Sequence, residues 1–172
     1  KRTCGYKRRL EAVTKSTEHL ESMVKRALAR GIEADYILMD SWFGWPAIWA
    51  KLGQYLPVIC MIKNMPKVFY RYQGQWVSLG KLHSLVRKRP GKARILASVV
   101  VETKQKQKVK IVFVRHRHKR DWLSILSTKI DMPAHEIVSI YGKRWDIEVL
   151  FKMMKHHLNR EKEAQLRDYD GI

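Results

Sequence analysis

The sequence predicts an α/β fold with an antiparallel β insertion ahead of its last helix. Three observations carry that prediction. Helix and buried-strand patterns alternate across residues 1–62, which implies parallel strand neighbours. Residues 63–120 turn strongly basic and read as paired hairpins. A helical pattern then runs from Pro133 to about His157. The 172 residues suffice for a domain with its own core. An apolar content of 45% argues against disorder.

Each element follows from local pattern. Residues 1–13 are basic and short on apolar residues, so they read as a loop or the tail of an earlier element. Thr14 to Arg30 is helical: Leu20, Val24, Ala27 and Leu28 fall at helical spacing, Ser16 or Thr17 can cap it, and Gly31 can end it. Asp35-Tyr-Ile-Leu-Met-Asp40 is a short apolar run closed by an acid, hence a buried strand with Asp40 at its C-terminal end. Pro46 suits the first turn of a helix through roughly Lys51. Pro57 to Ile62 is a second buried strand. Val68–Tyr72 and Trp76-Val77 flank Gln73-Gly74-Gln75, a hairpin pattern. Ile95–Glu102 and Val109–Val114 flank a Lys/Gln tract and form a second hairpin, and Trp122–Ser127 is a further strand. Pro133 opens the final helix. The chain thus divides into a first core segment (1–62), a basic β insertion (63–128), and a last helix with its tail (129–172).

Charge narrows the partner. Lys and Arg number 35 against 16 acids, a net charge of +19. A polyanion is the natural complement, with nucleic acid ahead of an anionic membrane surface. Basicity for solubility is the bland alternative, but the charge is segregated: residues 63–120 hold 17 Lys or Arg and one acid, Glu102. No apolar run reaches membrane-span length, and no signal peptide opens the chain. Cys4 and Cys60 fit neither zinc nor redox spacing and read as reduced thiols of a cytosolic protein. His116 and His118 sit in a charge run and read as solvated rather than as metal ligands.

The final helix carries the main constellation. Tyr141, Arg144, Glu148 and Lys155 lie at i, i+3, i+7 and i+14. On one straight helix they would share a face within roughly 60° along about 20 Å. Spacing alone favours a plain ion pair between Arg144 and Glu148 at i, i+4. The pattern Tyr-x-x-Arg-x-x-x-Glu-x-x-x-x-x-x-Lys, however, resembles the signature of the insertion sequence 4 family of bacterial transposases in all four residue types and their spacing. The resemblance covers essentially the whole chain.

That resemblance implies a partial ribonuclease-H-like fold whose active site is a triad of two Asp and one Glu. Asp40, in Leu38-Met-Asp-Ser-Trp-Phe43, matches the second Asp, and Glu148 matches the Glu. Both would be catalytic and would bind Mg²⁺ or Mn²⁺, which prefer carboxylate oxygens. The first Asp belongs on a strand upstream of residue 14, where Glu11 is the only acid. With Lys1 at its start, the chain is therefore expected to be a piece lacking the first strands, and inactive alone. Tyr141, Arg144 and Lys155 would hold DNA phosphates. Trp122 matches the Trp on which some family members stack a flipped base, although core packing is the favoured reading for it, as for Trp42, Trp45 and Trp49.

The resemblance further implies double-stranded DNA as partner, both transposon ends and target, with a homodimer in the synaptic complex and no membrane association. The setting would be bacterial cytoplasm, associated with the nucleoid. The insertion would add sequence-independent, salt-sensitive backbone contacts. One other reading stays open, a non-catalytic basic nucleic-acid-binding domain; the Tyr and Lys of the signature argue against a third, another ribonuclease-H-fold nuclease such as a resolvase.

Overall fold

The computed structural model describes residues 16–116 and 121–157, together with Gly5, Tyr6, Arg9 and Val13. Those four isolated residues are helical where the sequence suggested a loop. Lys and Arg are good helix formers, so a lack of apolar periodicity does not exclude a helix there. The rest of residues 1–13, Thr14, Lys15, Cys4, His118 and the tail from residue 158 lie outside the described residues.

The described chain runs α1 (Ser16–Ala29), β1 (Ile37–Met39), a 3₁₀ turn (Ser41–Phe43), α2 (Pro46–Leu52), β2 (Val58–Ile62), β3 (Phe69–Tyr72) and β4 (Gln75–Ser78). It continues with α3 (Leu79–Leu85), β5 (Ile95–Glu102), β6 (Lys108–Arg115), β7 (Trp122–Ser127), α4 (Ala134–Gly142) and α5 (Arg144–His157). Seven strands form one sheet in the order β1-β2-β7-β6-β5-β3-β4. Only β1 and β2 are parallel; the remaining pairs are antiparallel. The mixed α/β fold is compatible with a ribonuclease-H-like domain. The strands of residues 63–128 continue the same sheet, because β7 pairs with β2.

Pleat alternation sorts the core into two layers. In β2, Val58, Cys60 and Ile62 face one side, where Trp49 and Leu52 of α2, Leu79 and Leu82 of α3, and Leu20 and Val24 of α1 pack. Ile59 and Met61 face the other side, covered by Ile137, Val138 and Tyr141 of α4. In β1 the same alternation sends Ile37 and Met39 to the first layer and Leu38 to the second.

Local chemistry accounts for the boundaries. Pro46 opens α2, where a missing N–H costs nothing. The β3–β4 turn uses Gln73 (φ 48°) and Gly74 (φ 82°), the left-handed pair that a two-residue hairpin of this twist requires. The sequence reading missed α3. Its signals were the Ser78 cap, whose hydroxyl accepts from the Lys81 N–H at 3.3 Å, and the spacing of Leu79 and Leu82.

One expectation is corrected. The helix expected from Pro133 to His157 is broken at Lys143, with Pro133 as the cap ahead of the first half. The Lys143 N–H bonds the Ile140 carbonyl at 3.1 Å, and the Asp146 N–H bonds the Lys143 carbonyl at 3.0 Å. Two causes converge there. Gly142 weakens the helix at that point. Packing holds α4 on the sheet, whereas α5 has no buried residue to hold it in line. Trp145, Leu150 and Phe151 on α5 are instead exposed. No described helix is long and apolar enough to cross a membrane.

Glu21 ties α1 to α2. It accepts a hydrogen bond from the Tyr55 hydroxyl at 2.7 Å and pairs with Lys25 at 3.0 Å and with Lys51. Lys51, then Tyr55 and Lys25, hold its carboxyl at about 2. A depressed carboxyl stabilises the fold above its ordinary range and loses that contribution as pH falls toward the folded value. An NMR titration should therefore find the Glu21 carboxyl midpoint near 2, and α1 should loosen only in strong acid. A midpoint at the ordinary 4.5 would mean the contact is absent.

Candidate carboxylate and nucleic-acid site

Asp40 follows directly on β1 with extended backbone (φ −75°, ψ 165°). Alternation past Met39 therefore turns it to the layer of Leu38 and α4. It caps the 3₁₀ turn, accepting the Ser41 N–H on its carboxylate. The turn seats on β2 through Gly44. A Cβ there would lie 2.6 Å from the Met61 carbonyl oxygen, closer than any side chain tolerates.

Tyr141 brings the second element in. It is buried at the end of α4 against Ile59, Ile125 and their neighbours. The Arg144 guanidinium, on the next helix, lies 5.9 Å from the Tyr141 ring centroid, a cation–π distance. Arg144 also pairs with Glu148 at 2.8 Å across one turn of α5. Asp40 is close enough to act electrostatically on both Tyr141 and Arg144. Burial pushes the Tyr141 hydroxyl up to about 12, with Arg144 opposing and Asp40 reinforcing the shift. The phenol is thus a proton donor at any physiological pH. For Arg144, burial disfavours the charge, but Glu148, Tyr141 and Asp40 outweigh it and raise its pKa.

Two donors in this neighbourhood are buried without a partner: the Tyr141 hydroxyl and the Arg144 Nε. The guanidinium lies over the ring, but the two make no hydrogen bond of normal geometry. Buried donors are nearly always satisfied, so a water or a ligand oxygen is the natural acceptor for these two, as it would be for the Trp49, Tyr70 and His83 atoms that share this status in the other layer.

Residues 9–171 match the family described as "Transposase DDE domain". The chain belongs to that family. No curated protein and no solved structure matches the chain. Members of the transposase DDE family generally use a divalent metal, and the donors of this DDE domain can be tested for that use. Asp40 and Glu148 offer carboxylate oxygens, the type Mg²⁺ and Mn²⁺ prefer. Glu148 is already engaged by Arg144, and no three His, Cys, Asp or Glu side chains come together among the described residues. The described residues therefore fit part of a metal site and not a whole one.

The other expected positions of the transposase domain fall as follows. Lys155 lies near the far end of α5, beyond the break that separates it from Tyr141. Of the four signature residues, Tyr141 lies on α4 and Arg144, Glu148 and Lys155 on α5. Trp122 packs in the opposite layer from Tyr141, stacked on His83 at 4.4 Å and edge-on to Phe113 at 5.2 Å. The His116 N–H bonds the Asp121 carbonyl at 2.9 Å. Cys60 is a free, buried thiol pushed up to about 12 by burial, hence protonated and unreactive.

Of the three tryptophans beside Asp40, only Trp49 is in the core, at 0% exposure. Trp42 and Trp45 are 70% and 51% exposed, against the expectation for them. The reason is the turn: Phe43 takes the inward position of the 3₁₀ segment, and Trp45 stands outside α2 as its cap.

Gly44→Ala should destabilise the fold by about 1–3 kcal/mol, because backbone must move to admit the methyl group. Urea denaturation reads this directly. A change within about 0.5 kcal/mol of the parent would mean the turn is not seated as described.

Proposed function

We propose that this chain is part of an insertion-sequence transposase of the insertion sequence 4 group, acting on double-stranded DNA at transposon ends and target. The observation that carries the reading is the pair of orphaned donors, the Tyr141 hydroxyl and the Arg144 Nε, beside Asp40 and Glu148. A DNA phosphate offers acceptor oxygens to both, and the guanidinium fork suits it. The net charge of +19 supplies long-range attraction. The basic stretch 63–120 adds backbone contacts that would fall away with salt. Lys155 extends the cationic track along α5.

In this reading Asp40 and Glu148 are the catalytic carboxylates that would hold Mg²⁺ or Mn²⁺, and Arg144 passes from Glu148 to phosphate when DNA binds. Such an ion would neutralise charge building on the phosphodiester during cleavage and strand transfer. A third ligand must come from outside the described residues, since these supply no group of three. Trp122 enters this proposal as a core residue, because its ring is already stacked on His83. A homodimer on paired ends, in a bacterial cytoplasmic setting, completes the proposal.

Two outcomes test it. Arg144→Ala should weaken binding to transposon-end DNA roughly tenfold and reduce the salt slope by about one, with Arg144→Lys recovering only part of the loss. Unchanged affinity near physiological salt would remove Arg144 from the interface. In a plasmid-nicking assay with Mg²⁺ or Mn²⁺, the 172-residue chain alone should stay at background. Metal-dependent nicking would mean that its own residues complete the site.

A further inference from the structure

The end of the sheet that carries Asp40 also carries a strongly basic loop. β1 and β2 are parallel, and β7, β6 and β5 follow in turn, each antiparallel to the last. The C-terminal end of β1, the end of β6 at Arg115 and the start of β5 at Ile95 therefore lie at the same end of the sheet. Residues 87–94 enter β5 there with five cations, Arg87, Lys88, Arg89, Lys92 and Arg94, and no acid. All five are exposed. β5 stands four strand steps from β1, about 19 Å at the usual interstrand spacing.

A charge run is ordinarily a solvated face, but this one is tied in place and borders a groove. The Arg115 guanidinium donates to the Gly91 carbonyl at 2.8 Å and to the Ala93 carbonyl at 3.3 Å. The Arg89 N–H bonds the Leu96 carbonyl at 2.7 Å, and the Arg115 N–H bonds the Arg94 carbonyl at 2.8 Å. A sixth cation thus fixes a cationic loop, which concentrates positive charge instead of relieving it. Beside the loop, a groove of about 380 Å³ lies between the start of β5 and α4, lined by Arg94, Ile95, His135, Val138, Ser139 and Gly142. His135, Ser139 and Gly142 share one face of α4, at i, i+4 and i+7. The Arg94, His135 and Ser139 side chains have no polar partner among the described residues.

The lining offers a guanidinium, a hydroxyl and an imidazole, each able to donate, and no carboxylate. Donors gathered around one permanent cation suit an anion with several acceptor oxygens, and phosphate has that form. The cations lined up along the loop suit a phosphate that belongs to a polyanion, since they can meet its neighbours in the same strand. We propose that this groove holds a second DNA backbone phosphate, separate from the one at Tyr141 and Arg144. Arg94 is its main donor, with Ser139 and His135 beside it, and Arg115 is a positioning residue for the loop. Roughly five or six base pairs of rise span the separation of β1 and β5, so one short duplex laid along this end of the sheet reaches both places. The proposal rests on the DNA-binding reading above and adds where the duplex is gripped away from Asp40.

The test uses the 172-residue chain and a labelled duplex of about 20 base pairs, long enough to span both places. Fluorescence anisotropy is read over a series of salt concentrations. Arg94→Ala should weaken binding roughly five- to tenfold and lower the salt slope by about one. Ser139→Glu, which sets an acid beside Arg94, should weaken it at least as much, whereas Ser139→Ala should cost less. Both positions are exposed, so thermal melting should match the parent. Combined with Arg144→Ala, the Arg94→Ala loss should multiply, as it does for sites farther apart than about 10 Å. Losses that fail to multiply mean one shared phosphate and overturn the second site. Affinity and slope unchanged in both Arg94→Ala and Ser139→Glu overturn the groove and leave the DNA reading standing. If calorimetry then finds Arg94-dependent binding of inorganic phosphate, the groove takes a free anion and the DNA assignment falls. Failure of the unaltered chain to bind the duplex overturns both readings.

Discussion

Three residues of β1, Ile37–Met39, lie in parallel register against Val58–Cys60, and the candidate site depends on that short ladder. Because side chains alternate across a strand, the register decides which layer each residue enters. With Met39 packed beside Trp49, the next residue, Asp40, must turn toward the layer of α4. A slip of one residue would put the carboxylate into the apolar layer with Trp49 and leave Tyr141 without its acidic neighbour. Gly44 adds a second restraint, since only a residue without a side chain lets the following turn rest on β2.

The site couples burial to charge. Tyr141 is buried by its packing on β2 and β7, and its hydroxyl goes with it. That burial makes the phenol a permanent donor, and it draws the Arg144 guanidinium into a partly dry neighbourhood where Glu148 and Asp40 preserve its charge. Glu148 and Arg144 satisfy each other only in part, because the Nε still lacks an acceptor. An anion arriving there would meet donors already aimed and partly desolvated. The break at Lys143 gives this arrangement its asymmetry: α4 is fixed by the core, whereas α5 carries Glu148 and Lys155 on a helix with no buried residue.

The elements legible in the sequence were those whose stability is local. The strands β5, β6 and β7, the β3–β4 hairpin and the Pro46 helix follow from short-range pattern and turn chemistry, and each appears within a residue or two of its expected bounds. Most of the failures trace to packing that local pattern does not carry. The last helix was read as one run from Pro133 to about His157, but nothing in the described structure covers Trp145, Ile147 or Phe151, so no packing holds its second half to the core. Trp42 and Trp45 were assigned to the core by residue type, whereas the 3₁₀ turn gave the inward position to Phe43. α3 was overlooked because seven residues are too few for a clear period, and its Ser78 cap was the better signal.

The sequence by itself determined the chemical inventory: a basic chain, a strand-end acid at Asp40, and the Tyr141, Arg144, Glu148 and Lys155 spacing that led to the transposase family. Those are properties of residue order, and no folding is needed to read them. Only the tertiary structure decided which of these residues meet. Asp40 and Tyr141 are about a hundred residues apart in the chain and become neighbours because β1 pairs with β2 and α4 packs over it. It was tertiary structure too that set Trp122 in the opposite layer, and it left Trp42 in the open beside Asp40. Such outcomes depend on register and layer, which are set by contacts between distant segments and leave no mark on local sequence.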